Sequence, residues 1–141
     1  MRIEEIENEI INEFEMFDNW EDKYQYVIDM GKDLHALPEE LKTDDRLIKG
    51  CQSRVWLQSD LKDGKVIYSA DSDAIITKGL VALMIRVLSG QAPDDIMTAD
   101  MHFVDRIGLK EHLSPTRANG LLSMIKQMKL DAVALKTKLS S

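Results

Sequence analysis

The chain has one cysteine, Cys51, in 141 residues. A lone cysteine excludes an intrachain disulfide. It also excludes the several thiolates of a zinc or iron–sulfur centre. No uninterrupted apolar run approaches the ~20 residues of a membrane span. The start, Met1-Arg2-Ile3-Glu4-Glu5-Ile6-Glu7, lacks the basic n-region and continuous apolar core of a secretory signal. Positive charge is short as well: 18 basic residues face 25 acidic ones, for a net charge of −7. That leaves phosphate binding, and with it nucleic acid, without electrostatic support. No internal repeat, low-complexity tract or linker interrupts the sequence. The expectation is a single domain over residues 1–141, cytoplasmic, with neither a nucleic-acid nor a membrane partner. A reducing compartment keeps Cys51 available as a thiol.

Hydrophobic spacing then supplies the elements. Ile3, Ile6, Ile10, Phe14 and Phe17 recur at intervals of three and four, which predicts a helix with one apolar face. Asp18-Asn19 offers a cap for a second helix, carrying Trp20, Tyr24, Val27 or Ile28, Gly31 and Leu34 on one face. Leu37-Pro38 is expected to end it, because the residue before proline is pushed out of helical geometry. Residues 39–45 are polar and read as a turn or a short helical piece. A short strand at Leu47-Ile48 has weak support. Val55, Leu57 and Leu61 alternate with polar residues, as in a half-buried strand. Asp63-Gly64 signals a hairpin, since both residues tolerate positive φ. The return strand is expected over Lys65 to Ala70.

Asp71-Ser72-Asp73 reads as a helix start whose oxygens accept first-turn N–H groups. The helix from Ala74 to Leu88 is apolar over most of its girth and reads as central and buried, closed by Ser89-Gly90. Short helical turns are expected after Pro93 and over Met101 to Ile107. Ser114-Pro115 is an N-cap followed by proline at the first helical position. This last helix is expected to run to about Lys136, with Leu121, Ile125, Met128, Ala132 and Leu135 inward. Its lysines at 126, 129, 136 and 138 lie towards the C-terminal end, which suits the helix dipole.

Cys51 sits in Gly50-Cys51-Gln52-Ser53, just before the strand that opens Val55-Trp56-Leu57. Two readings stand: an inert buried residue, the common fate of a free cysteine, or a reactive thiol, which its neighbours favour. Gly50 marks a backbone position that is tight or needs positive φ. The thiolate is the nucleophile, so a nearby cation or helix dipole raises reactivity. Lys49, Arg46, Arg54 and Arg117 are the candidate cations. The helix starts after Asp71 and Ser114 are the candidate dipoles. His35, His102 and His112 can each be read as a base for Cys51 or as a surface or capping histidine. Asp71 and Asp73 can be a carboxylate pair or, more simply, caps. The eight methionines read as core filler, and Trp20 and Trp56 as packing residues. Arg117 opposes the dipole of its helix at a cost of a few tenths of a kcal/mol, which suggests an anion or a site that holds it there.

Four stretches resemble the SufE family of sulfur-acceptor proteins, which act with group II cysteine desulfurases in iron–sulfur cluster assembly. They are residues 19–31, from Asn19-Trp20-Glu21-Asp22 to Met30-Gly31; Gly50-Cys51-Gln52-Ser53-Arg54-Val55-Trp56-Leu57; Asp71-Ser72-Asp73-Ala74-Ile75-Ile76-Thr77-Lys78-Gly79-Leu80; and residues 108–121, with Leu113-Ser114-Pro115-Thr116-Arg117 at their centre. The resemblance implies an α+β fold, a small antiparallel sheet packed against several helices as in the iron–sulfur scaffold proteins. It implies that Cys51 accepts persulfide sulfur from a SufS/CsdA-type desulfurase, stimulates that enzyme and passes the sulfur to a cluster scaffold. The pyridoxal phosphate belongs to the desulfurase, and the chain itself binds no cofactor and no metal. By the same resemblance the resting cysteine is tucked into an apolar cavity. Arg117 steadies a thiolate or persulfide anion, and Gly50, Gln52 and Asp73 lie at the docking surface. The sequence departs from the family at Arg46, where relatives often carry asparagine, and at Thr116, where serine is commoner. Two other readings stay open: an adaptor that activates a desulfurase without carrying sulfur, and a cysteine-dependent hydrolase or peroxidase using His102 or His112.

Overall fold

A computed structural model describes residues 2–34 and 37–140, with backbone alone for Leu139 and Ser140. Helix α1 spans Ile3–Glu15. Its apolar face buries Ile3, Ile10, Ile11 and Phe14. Helix α2, Trp20–Lys32, begins as its sequence demands: the Asn19 side chain accepts the Asp22 N–H at 2.8 Å. It stops at Lys32, five residues before Leu37, so proline is not what ends it. The last-turn carbonyls of Met30 and Gly31 are closed by the N–H of Asp33. His35 lies outside the described residues. Two short 3-10 turns follow, Glu39–Leu41 and Asp44–Arg46.

Strands β1 (Val55–Lys62) and β2 (Lys65–Ser72) form a two-stranded antiparallel sheet, in register from Val55↔Ser72 to Lys62↔Lys65. Asp63 (φ 53°) and Gly64 (φ 78°) make the expected turn with both central residues left-handed. The weak strand at Leu47-Ile48 is reduced to one bridge, Leu47 to Trp56. β2 runs two residues past Ala70, which alters the role of Asp71. Its carboxylate is buried within ion-pair distance of Lys42 and Lys78, 3.3 Å each. Burial alone would raise its pKa, but the Ser72 N–H and the two lysines outweigh burial and hold it below the usual carboxylate range. Neither Asp71 nor Asp73 caps the following helix. Helix α3, Ile75–Leu88, starts from Ala74 with no side-chain cap.

α3 is the central helix. Leu80, Val81, Leu83, Met84, Val87 and Leu88 are buried, whereas Ile75 at its start is 69% exposed. α2 and α3 cross at two glycines. A Cβ on Gly79 would lie 2.2 Å from the Val27 carbonyl oxygen, and one on Gly31 would lie 2.7 Å from Gly79 N. The crossing therefore depends on missing side chains. Arg86 reaches α1 from α3 and grips Glu13 with two guanidinium nitrogens at 2.7 and 2.5 Å. That hydrogen-bonding is the main reason the Glu13 pKa is lowered.

Short helices α4 (Pro93–Thr98), α5 (Phe103–Arg106) and α6 (Leu109–His112) lead to α7, Pro115–Ser140. The sequence reading contained no helix at 109–112. α7 starts as expected: the Ser114 hydroxyl accepts the Arg117 N–H at 3.3 Å. It extends four residues past Lys136. Its inner face is Leu121, Met124, Met128, Ala132 and Leu135; Ile125 is only half-buried, and Met124 takes its place. The buried Tyr68 hydroxyl of β2 donates to the Met128 carbonyl at 2.6 Å, fixing α7 to the sheet. Among the described residues no helix is long and apolar enough to cross a membrane.

Candidate functional site

Cys51 stands where the loop before β1 meets α7. Gly50 has φ +91°, the left-handed conformation anticipated for it, and a Cβ there would also come within 2.5 Å of the Ser123 hydroxyl. A side chain at residue 50 would be strained by this φ and would have to displace the Ser123 hydroxyl, and the turn delivers Cys51 against Gly120. The Cys51 Sγ lies 3.5 Å from the Gly120 carbonyl oxygen, as an S–H donor does. A Cβ at Gly120 would sit 3.5 Å from the sulfur, in ordinary van der Waals contact, so the approach does not itself require glycine.

The sulfur opens on a cavity of about 190 Å³ built by three elements. The loop supplies Cys51, Gln52 and Ser53. α3 supplies Thr77 and Leu80. α7 supplies Ser114, Thr116, Arg117, Gly120 and Met124. The wall mixes Leu80 and Met124 with hydroxyls from all three elements and the Arg117 guanidinium, so it is not the apolar cavity that the resemblance implies. Cys51 is half-buried, and burial pushes its thiol above the ordinary value. At neutral pH the resting group is the protonated thiol.

Of the four candidate cations, Arg117 reaches this wall. It is exposed and, among the described residues, forms no ion pair. Arg46 is turned elsewhere: it donates to Gln58 and, at 2.8 Å, to the Thr43 hydroxyl. Arg46 and Lys49 line a separate cavity with Leu57 and Asp131. Both candidate dipoles are represented, α3 by Thr77 in its first turn and α7 by Ser114 to Arg117. Gln52 is exposed on the rim. Asp73 is exposed and accepts the Arg54 N–H at 3.0 Å, tying the start of β1 to the approach to α3. Its carboxylate braces the cysteine loop rather than capping a helix.

No histidine lines the cavity among the described residues. The His112 ring donates from Nδ1 to the Gly108 carbonyl at 2.8 Å and stacks on Trp20 with centroids 3.9 Å apart. His102 faces Glu7 at 3.1 Å and Asp100 at 3.3 Å. Both are structural in this fold, and among the described residues the wall holds no histidine base of the kind a cysteine hydrolase needs. Thr77 is the site residue that sequence reasoning passed over. Its one signal was a hydroxyl on the buried face of an otherwise apolar helix.

Comparison with known proteins places the family and the fold. A family model described as SufE, Fe-S metabolism associated domain, matches residues 8–132. An uncharacterized SufE-like protein of Rhizobium meliloti (strain 1021) is 42% identical over 130 residues, covering 89% of this chain and 93% of the relative. SufE-like protein 1 of Arabidopsis thaliana, described as chloroplastic/mitochondrial, is 37% identical over 131 residues, covering 92% of this chain and 35% of its own length. The solution structure of a hypothetical protein from Thermus thermophilus superposes with a TM-score of 0.77 at 19% identity, covering 96% of this chain and 97% of that one. That last match speaks to the fold alone.

Proposed function

The chain belongs to the SufE family, a domain associated with iron–sulfur metabolism, and from that premise we propose that it is a persulfide carrier with Cys51 as the acceptor. The donor in this reading is a cysteine desulfurase that holds sulfur as its own cysteine persulfide. The Cys51 thiolate attacks the outer sulfur. The outer sulfur–sulfur bond of the donor breaks, Cys51–S–SH forms and the donor cysteine leaves as a thiolate. No net oxidant is consumed, because the step exchanges one sulfur–sulfur bond for another. The pyridoxal phosphate that first takes sulfur from L-cysteine belongs to the donor. The cargo then passes to an iron–sulfur scaffold, and the site of action is the cytoplasm.

The observation that carries the reading is a single half-buried thiol at a loop tip, against a cavity whose free cation is Arg117. Desolvation holds the proton on Cys51 at rest. Moving the loop outward onto a partner removes that penalty and releases the thiolate where the donor stands. In this reading the partner touches Gln52 on the cavity rim together with Gly50 and Asp73 beside the cysteine loop, and Arg117 meets the anion.

The test is incubation with a matched desulfurase and L-cysteine, followed by intact mass under non-reducing conditions. The expected result is one added sulfur on Cys51, lost on reduction and absent from Cys51→Ala. An unmodified Cys51 in a chain that demonstrably binds the loaded donor overturns the proposal. Stimulation of the desulfurase that survives Cys51→Ala would assign a non-carrying adaptor instead.

A further inference from the structure

Three polar or charged residues are buried among the described residues: Glu7, Asp71 and Thr77. Two are answered. Glu7 accepts the Phe103 N–H at 3.1 Å and faces His102. Asp71 holds two lysines. The Thr77 hydroxyl, in a residue only 6% exposed, has no hydrogen-bond partner among them. A helical threonine normally donates to the carbonyl four residues back, as Thr98 does to Asp94 and Thr137 to Val133. Thr77 is the third residue of α3, so the residue four back lies outside the helix. No side-chain polar atom among the described residues is both fully sealed and unpartnered. The Thr77 hydroxyl is therefore not fully sealed, and Thr77 lines the cavity it shares with Cys51. A nearly buried hydroxyl that no protein group answers is a cost that a ligand removes.

Building on the carrier reading, we propose that this cavity is a binding site for a persulfide anion and that the Thr77 hydroxyl donates to its outer sulfur. The space suffices: one added sulfur occupies roughly the ~30 Å³ of a water molecule, against about 190 Å³ available. The other polar groups are less suited. The Ser114 hydroxyl is exposed and accepts the Arg117 N–H, so its own proton faces water. Thr116 and Arg117 are exposed at the mouth, where water competes. Thr77 lies in a first turn that no side chain caps, an environment that favours negative charge. A hydrogen bond to the charged form lowers the pKa of the group that carries it. The bound cargo is therefore held as its anion, whose charge repels a stray thiolate, and a proton returned to the outer sulfur makes it open to attack by the next acceptor.

The experiment loads Cys51 without a protein donor. Inorganic polysulfide is attacked at a terminal sulfur by the Cys51 thiolate, giving Cys51–S–S⁻ and a polysulfide dianion one sulfur shorter. Intact mass gives the extent of loading, and near-ultraviolet absorbance of the persulfide anion is followed against pH. Thr77→Val should raise the apparent pKa of the persulfide by about one unit, the tenfold weight of a hydrogen bond to a charged group. Thr77→Ser should restore the wild-type curve. The melting temperature of Thr77→Val should stay level or rise, since no bond is lost in the unloaded protein. Coincident curves for wild type and Thr77→Val at equal loading overturn the assignment, as does a wild-type chain that takes no sulfur from polysulfide. Failure of transfer from a loaded desulfurase, with these curves separated, instead defeats the carrier reading and leaves the anion site standing.

Discussion

Cys51 and Gly120 are 69 residues apart in the chain and are joined by an S–H···O contact of 3.5 Å. The contact uses the proton on sulfur, so it exists only in the thiol form. Docking the loop against α7 and keeping the sulfur unreactive are therefore one event.

The first prediction is a shifted thiol titration. Burial raises the Cys51 pKa in the folded chain, so iodoacetamide should modify it with a midpoint above the ordinary value of about 8.5. The native state then holds its proton longer than the unfolded state does. This contribution to stability is fully present below about 8.5 and is lost as pH rises through the folded value. A midpoint at or below that of a free thiol would contradict the buried geometry.

Gly120→Ala separates stability from access. Gly120 lies within α7 and no left-handed φ is required of it, so alanine should stabilise the helix by up to about 1 kcal/mol. The new Cβ sits 3.5 Å from Sγ and takes space from the cavity. Alkylation of Cys51 should slow severalfold while the denaturation midpoint rises. Faster alkylation would show that the sulfur does not rest against α7.

Gly79→Ala should be among the costliest single methyl additions in the chain. The methyl would stand 2.2 Å from the Val27 carbonyl oxygen, which is backbone and can yield only by separating α2 from α3. Overpacking of this kind costs about 1–3 kcal/mol or more, readable by urea denaturation. Gly64→Ala is a useful control, because its Cβ meets nothing within 4 Å and the loss reflects the φ of +78° alone.

Glu13→Gln removes the charge that Arg86 holds across α1 and α3. Both side chains are about one-third exposed, so the loss at neutral pH is discounted to about 1 kcal/mol. The Glu13 pKa is depressed, chiefly by hydrogen-bonding to Arg86. The stabilisation is present above the ordinary carboxylate value of about 4.3 and disappears as pH falls through the folded one. Wild type and variant should converge in stability in strong acid; a gap that persists there would point to packing instead of charge.

Local signals were legible in the sequence, and non-local ones were not. The Asn19 cap, the Asp63–Gly64 turn and the Ser114-Pro115 start each depend on neighbours within four residues, and each formed as expected. Gly50 announced its special backbone for the same reason. Asp71 misled because the lysines that justify burying it come from residue 42 and from the next helix. The end of α2 was misplaced because proline was visible while the weak last turn was not. α6, four residues long, is too short to show a period. At the site, sequence nominated four cations for one sulfur. The fold selected Arg117 and sent Arg46 to Gln58. Thr77 was passed over within a helix read as apolar over most of its girth, since a missing hydrogen bond has no sequence signature.

The Asp63–Gly64 turn lies at the far end of β1 from the cysteine loop. Seven residue steps from Val55 to Lys62 amount to about 23 Å of strand. Its tip is exposed, with open space around Gly64. A fluorophore, an affinity handle or a surface tether attached there leaves the sulfur and its rim unobstructed, so encounters with a donor can be watched on an immobilised molecule.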